Sequence, residues 1–256
     1  MPMNVTSTIC ASLAQQQVIC LATVVASGDQ RLPVGRKAII RPDGRMEDPF
    51  GIPDFDKALR GQAMQALQER ECALVEVAAG ISVFLDCLVP DAKLLICGAG
   101  HIAMPLARFA REVGFSVTVL DDREDFAHAS RFPGCRVMAE DYTPALRRLA
   151  LGPATYAVVI TRGHEHDLDC LMEILPKETA YVGLIGSRRR IGFVLEELAR
   201  KGIAKERCAE LFTPIGLPIG AESPGEIALA ITAELVCVRR KRSALTRTLR
   251  ATTGVA

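Results

Sequence analysis

The sequence predicts an α/β protein, a parallel sheet with helices on both faces, preceded by a small α+β domain. Three observations carry this. From Lys93 onward, short apolar runs alternate with stretches of helical spacing. The first of these runs, Leu94-Leu95-Ile96-Cys97, passes straight into Gly98-Ala99-Gly100-His101 and then into a helix. Before Pro90, short β-branched runs instead surround a single helical stretch.

In the front domain, residues 1–89, the apolar run at 18–25 reads as a strand. Ala38-Ile39-Ile40-Arg41 reads as a second, closed by Pro42-Asp43-Gly44, where proline fixes φ and glycine tolerates a positive one. Residues 55–71 have helical spacing, with Phe55, Leu59, Ala63, Ala66 and Leu67 near one face. Residues 74–77 and 81–85 read as two strands around Ala79-Gly80, and Pro90-Asp91 marks the boundary. Arg31, Arg36, Lys37 and Arg41 form a loose basic group that reads as a solvated hairpin or as an anion-steering patch.

The second domain, residues 90–240, reads as alternating elements. Strands are expected at 93–97, 116–120, 136–139, 156–160 and 180–185, with a short sixth at 210–212. Helices are expected at 102–113, 144–149, 167–175 and 188–201, with a long one running from Pro224 to Arg239. Gly114, Pro176 and Gly202 stop three of them, and Pro224 suits a first helical position. Residues 241–256 are a basic tail, expected to be flexible.

Bulk properties narrow the function. The 256 residues are 49% hydrophobic and 24% charged, an ordinary globular composition. Six basic residues and no acidic one fall from Arg239 to the end; taking those six from 31 leaves 25 basic against 30 acidic groups, or −5, in the rest. An acidic body argues against a nucleic-acid partner. No apolar run approaches the eighteen or so residues of a membrane span, and the N-terminus has no charged flank before a long apolar core. Nine cysteines, none in a CxxC pair, fit a reducing cytoplasm.

Four segments lie where ligands bind in such sheets. In the first, Gly98 permits a tight turn, Gly100 leaves room for a phosphate, and Ala103 supplies the small residue that lets helix and strand pack closely. The helix N–H groups face the anion. Asp121, 21 residues beyond Gly100, stands where a carboxylate binds a ribose hydroxyl, and Asp122 competes for that role or caps the next turn. His101 either contacts phosphate or is satisfied by the turn backbone. The second segment is Thr161-Arg162-Gly163-His164-Glu165-His166-Asp167. Its His164, His166 and Asp167 lack the spacing of a helical zinc site, and Asp167 also suits a helix N-cap. The third, from Tyr181 through Gly186, Ser187, Arg188, Arg189 and Arg190, places Ser187 as an N-cap. Arginines in a first helical turn oppose the helix dipole, so an anion near Arg188 or Arg189 would relieve them. The fourth, residues 213–226, is a rigid apolar loop with Glu226 at its end. A nicotinamide cofactor, NAD(P), with His101 or His164 as proton donor, is one function these residues suit.

Taken together, the GAGH turn, Asp121-Asp122-Arg123, Arg131-Phe132-Pro133, TRGHEHD, YVGLIGSRRR and PIGLPIGAESPGEIALAI resemble the xanthine dehydrogenase accessory proteins of the XdhC/CoxI type. The resemblance covers roughly residues 90–238. It implies a Rossmann-like domain and an accessory, non-catalytic protein, often a homodimer. It further implies transient binding of the molybdenum cofactor, in its molybdopterin form. The partners implied are a molybdenum hydroxylase such as xanthine dehydrogenase and a cysteine desulfurase-type sulfurating protein. The cofactor-binding residues would be Gly98, Gly100, His101, Ala103, Asp121, Asp122, Arg162, His164, Asp167, Gly186, Ser187, Arg188 and Glu226. In the front domain, residues 34–44 resemble the family's lysine strand and hairpin, but 46–54 carry neither the family's double glycine nor its cysteine. The family also tends to have histidine where Arg162 stands. A pure docking scaffold is the remaining alternative.

Overall fold

The computed structural model describes residues 4–240; the tail at 241–256 and the side chains of His164, Glu165 and Arg188 lie outside the described residues. The chain divides into two compact units, Met1–Pro90 and Asp91–Ala256. Among the described residues no helix is long and apolar enough to cross a membrane.

The first unit comprises α1 (Val5–Ala14), β1 (Ile19–Ala26), β2 (Lys37–Ile40), β3 (Met46–Glu47), α2 (Pro53–Glu69), β4 (Ala73–Ala78) and β5 (Ile81–Leu88). Its strands form one antiparallel sheet in the order β3-β2-β1-β5-β4. β5 alternates buried and more exposed residues, as a sheet with one face on a core requires. Helix α2 opens on Pro53, and the buried Asp56 in its first turn accepts from the N–H groups of Phe50 and Gly51, both at 3.0 Å. It lays Phe55, Leu59, Ala63, Ala66 and Leu67 against Cys20, Ala22, Val24, Ile40, Val83 and Leu85. Full burial of each Leu or Phe there is worth about 1.5–3 kcal/mol. The basic group of this unit is not one patch. Arg31 pairs with Asp29, Arg41 with Glu47 and Gln17, Arg36 donates to the Pro49 carbonyl, and Lys37 to that of Gly35.

The second unit comprises β6 (Lys93–Cys97), α3 (Ala103–Glu112), β7 (Ser116–Asp121), β8 (Arg136–Ala139), α4 (Tyr142–Arg148), β9 (Thr155–Val159), α5 (His164–Ile174), β10 (Tyr181–Leu184), α6 (Arg188–Arg200), α7 (Lys205–Ala209) and α8 (Pro224–Arg239). All its strands are parallel, in the order β8-β7-β6-β9-β10. The chain therefore winds outward from β6 to one edge, then returns and winds outward to the other. The reversal falls between β6 and β9, and in such sheets the crevice at that reversal is the ligand position. Period-two alternation sends Leu94 and Ile96 of β6 into one core with α3 and α8. Leu95 and Cys97 enter the other, with α4, α5 and α6.

Two expectations need correction, and one helix was not marked by the sequence pattern. The run at 210–212 is not a strand: Phe212 makes a single isolated bridge to Gly183, because the segment turns away at once into Thr213-Pro214. Helix α5 begins at His164 with Gly163 as its N-cap, so Asp167 lies inside the helix and is not its cap. Helix α1 is absent from the sequence reading; Asn4 caps it by accepting from the Ser7 N–H, and its apolar face is weakly patterned.

Candidate functional site at the switch point of the parallel sheet

The turn after β6 is fixed by its neighbours. Gly98 has φ +112°, and a Cβ there would stand 2.5 Å from the Ile160 carbonyl oxygen, so only glycine fits without shifting the backbone just after β9. Its N–H donates to the Leu120 carbonyl at 2.7 Å. Gly100 differs: a Cβ would meet nothing within 4 Å. The space above it is open, as phosphate approach requires. Helix α3 follows with no acidic residue in its first turn; Ala103 N–H donates to the Gly100 carbonyl and Pro105 has no N–H, so of these three residues Met104 keeps an N–H for an anion at the positive end of the helix. Ala103 is fully buried where α3 meets the sheet, and His101 is exposed at the turn.

Asp121 is turned inward, 1% exposed. Oδ2 accepts from the Ala99 N–H at 2.7 Å and from Arg123 Nη2 at 2.9 Å; Oδ1 accepts from the Arg123 N–H and from Nε at 2.8 Å. Burial pushes this carboxyl up, but the Arg123 guanidinium and the N–H groups of Ala99 and Arg123 outweigh it and hold it down at about 2. Both oxygens are therefore spent on the protein, and the carboxylate serves the turn. Arg123 also stacks on Phe126, 3.7 Å from the ring centroid.

Asp122 points elsewhere. Its Oδ2 accepts from Arg162 Nη2 at 2.6 Å, and Arg162 Nη2 lies 3.4 Å from His166 Nε2. Asp122 Oδ1 is enclosed and has no hydrogen-bond partner among the described residues. His166 packs on the Tyr142 ring, 5.4 Å between centroids. The TRGHEHD loop thus reaches over the end of β6 to the loop after β7.

Asp167 is fully buried. It accepts from Thr161 Oγ1 at 2.6 Å and from Arg190 Nε at 2.8 Å, with Arg190 Nη2 also in contact. Burial pushes its carboxyl up, against the downward pull of Thr161 and Arg190. This triad ties the loop after β9 to the first turn of α6. Of the three arginines opening α6, Arg190 has a carboxylate, which relieves part of their conflict with the helix dipole. Ser187 caps α6 by accepting from the Arg190 N–H, with Gly186 just before it. Glu226 belongs to a capping box with Ser223, and accepts from the N–H groups of Glu222 and Ser223, both at 2.9 Å. It closes α8 locally. The side chains of His164 and Arg188 lie outside the described residues.

The structure therefore brings Gly98, Gly100, His101, Ala103, Asp121, Asp122, Arg162 and Asp167 together at the switch point, while Gly186 and Ser187 stand at the neighbouring strand end. Sequence reasoning missed Arg123, Thr161 and Arg190, which hold the carboxylates. It also missed the buried Glu234 of α8, which accepts from Tyr181 Oη at 2.5 Å and the Gly216 N–H at 3.0 Å and so anchors the 213–223 loop. The Asp-x-Arg spacing of Asp121 and Arg123 was the one available signal.

An open-sheet α/β unit with a glycine turn at its switch point defines a nucleotide-type binding fold, in a chain that also carries a separate antiparallel unit. Residues 94–235 match the XdhC Rossmann domain and residues 12–78 the XdhC and CoxI family model. The chain belongs to the XdhC and CoxI family. It is 28% identical over 246 residues to the uncharacterized protein YqeB of Escherichia coli (strain K12), covering 90% of this chain and 45% of that one. It is 31% identical over 161 residues to a probable xanthine dehydrogenase component of Bacillus subtilis (strain 168), covering 62% of this chain and 47% of the relative. The chain thus spans about half the length of these curated relatives. A crystal structure described as a xanthine dehydrogenase from Bacillus halodurans shares the fold, with TM-score 0.54 and 20% identity over 94% of this chain and 97% of that one.

Proposed function

We propose that this protein is a non-catalytic accessory factor of the cytoplasm that binds the molybdenum cofactor through its phosphate. It would pass the sulfurated cofactor to a molybdenum hydroxylase of the xanthine dehydrogenase kind. One observation carries the reading: a chain of the XdhC and CoxI family has open space over Gly100 at the switch point of its sheet. The residues present suit a phosphorylated ligand. Gly98 keeps a side chain out of the turn, α3 presents its positive end with no first-turn acid, and the exposed Arg162 stands within the same loops. When bound, the cofactor would bring the oxo- and sulfido-transfer chemistry; the protein's part is to hold and shield it. The desulfurase-type partner and a homodimer belong to this reading.

Dinucleotide-dependent hydride transfer is the less favoured reading on a specific ground. The carboxylate at the ribose position, Asp121, has both oxygens engaged by Ala99 and Arg123. The test measures affinity of the purified protein for the molybdenum cofactor and, separately, for NAD(H) and NADP(H). Micromolar retention of the cofactor without dinucleotide binding is expected. Tight NAD(H) binding with hydride transfer would overturn the reading, and a hydroxylase pulled down with neither ligand bound would leave a scaffold.

A further inference from the structure

We propose that the Asp122–Arg162 ion pair is a strap across the ligand crevice, which opens when an anionic group of the ligand takes the guanidinium from Asp122. The proposal rests on the reading of this site as one for a phosphorylated ligand, and adds how that site is regulated.

The topology places the strap. Asp122 follows β7 and Arg162 follows β9, and these two strands flank β6 on either side. A 2.6 Å contact between them therefore passes over the carboxyl end of β6, the strand that delivers the Gly98–Gly100 turn. The residues are 40 apart in sequence, so nothing local imposes the contact.

Two neighbouring pairs differ in kind. Asp121–Arg123 is local, buried at the carboxylate, and completed by two backbone N–H groups. Asp122–Arg162 is long-range, with 46% of the Arg162 side chain but 18% of the Asp122 side chain exposed, so the arginine is the end that a ligand can reach. Exposed pairs contribute little and exchange partners readily. A guanidinium meets a phosphate with the same fork geometry it offers a carboxylate, and gains charge by the exchange. The strap thus selects for ligands with a doubly charged phosphate or a diphosphate. A neutral heterocycle or nucleoside has nothing to offer Arg162 and leaves it on Asp122.

Calorimetric titration of the full chain with inorganic pyrophosphate at low ionic strength tests this, alongside Asp122→Asn, Arg162→Gln, the double variant, and Gly100→Val. Both strap residues are partly exposed, and circular dichroism checks that each variant folds. Removing the competing carboxylate should tighten pyrophosphate binding by about fivefold, the scale of an exposed ion pair. Arg162→Gln should weaken it, and Asp122→Asn should then have no further effect. If the wild type binds pyrophosphate in a way Gly100→Val abolishes, yet Asp122→Asn leaves affinity unchanged or lower, the strap is wrong and the site stands. If neither the wild type nor Asp122→Asn binds pyrophosphate, the phosphate reading of the site fails, and the strap falls with it.

Discussion

The carboxylate of Asp121 accepts a hydrogen bond from the N–H of Ala99 at 2.7 Å, so the tip of β7 holds the turn that follows β6. The residue that a dinucleotide site would aim at a ribose here serves as a backbone clamp, itself clamped by Arg123.

That clamp has a pH signature. The Asp121 carboxyl sits at about 2 in the folded protein against an ordinary 3.8. A folded value below the unfolded one gives stability that is complete above the unfolded value and is lost as pH falls through the folded one. The difference amounts to about 2 kcal/mol at neutral pH. Asp121→Asn should therefore destabilise the protein by about that much at pH 7 in urea unfolding. The gap from wild type should close between about pH 4 and pH 2. A gap that does not change with pH would mean the carboxylate charge is not what holds the turn.

The two glycines of the turn should separate in their effects. Gly98→Ala drives a Cβ to within 2.5 Å of the Ile160 carbonyl oxygen at a φ of +112°. Backbone strain and overpacking of this kind cost about 2–4 kcal/mol, read as a lowered Tm. Gly100→Val projects into open space and should cost less than about 1 kcal/mol. It should nonetheless abolish binding of the phosphorylated ligand, because its methyl groups fill the approach. Equal loss of stability in both variants would contradict this division.

Arg190 is the cation that makes a buried Asp167 tolerable. Arg190→Met leaves a fully buried carboxylate with Thr161 Oγ1 as its remaining side-chain donor, and stranding a buried charge costs about 3–5 kcal/mol. Burial already pushes this carboxyl up. A folded value above the unfolded one means that protonation favours the folded state. The penalty of Arg190→Met should accordingly shrink as pH is lowered, and Asp167→Asn in the same background should restore much of the loss. Thermal melts across pH, with and without the second substitution, read both effects.

What the sequence made legible follows the range of the interactions. Each strand of the parallel sheet contains a short run of apolar residues set between stretches of helical spacing, so local pattern was enough. Ser187 was also legible, because a cap acts within one turn; the equally local Ser223–Glu226 box was not, since Glu226 at the end of an apolar loop reads as a ligand residue as readily as a cap. The pairings that give the site its character were not. Asp167 finds Arg190 across 23 residues and Asp122 finds Arg162 across 40, and no periodicity encodes which charges meet across a sheet edge. The same limit explains the choice of Arg188 or Arg189 over Arg190: the helix start was visible, the carboxylate facing it was not. The strand expected at 210–212 failed for the opposite reason, since Leu211 and Phe212 after Glu210 suggest a strand without the length to form a ladder.

The loop at 213–223 provides the last test. Its Gly216 N–H donates to Glu234 of α8 at 3.0 Å, and the same carboxylate accepts from Tyr181 Oη at 2.5 Å. Strand β10, the loop and α8 therefore meet on one buried oxygen, Glu234 Oε2. Tyr181→Phe removes a donor from that carboxylate while keeping the ring that packs against Tyr156 and Phe212. The cost should be about 1–3 kcal/mol, the range for a buried acceptor that loses a partner. The Gly216 amide should also exchange with deuterium faster, because a less well-held carboxylate holds that N–H less firmly. Amides in β7, separated from β10 by β6 and β9, should keep their relative protection. Uniform acceleration of exchange across the unit would show instead that Tyr181 acts on global stability and that the loop has no anchor of its own.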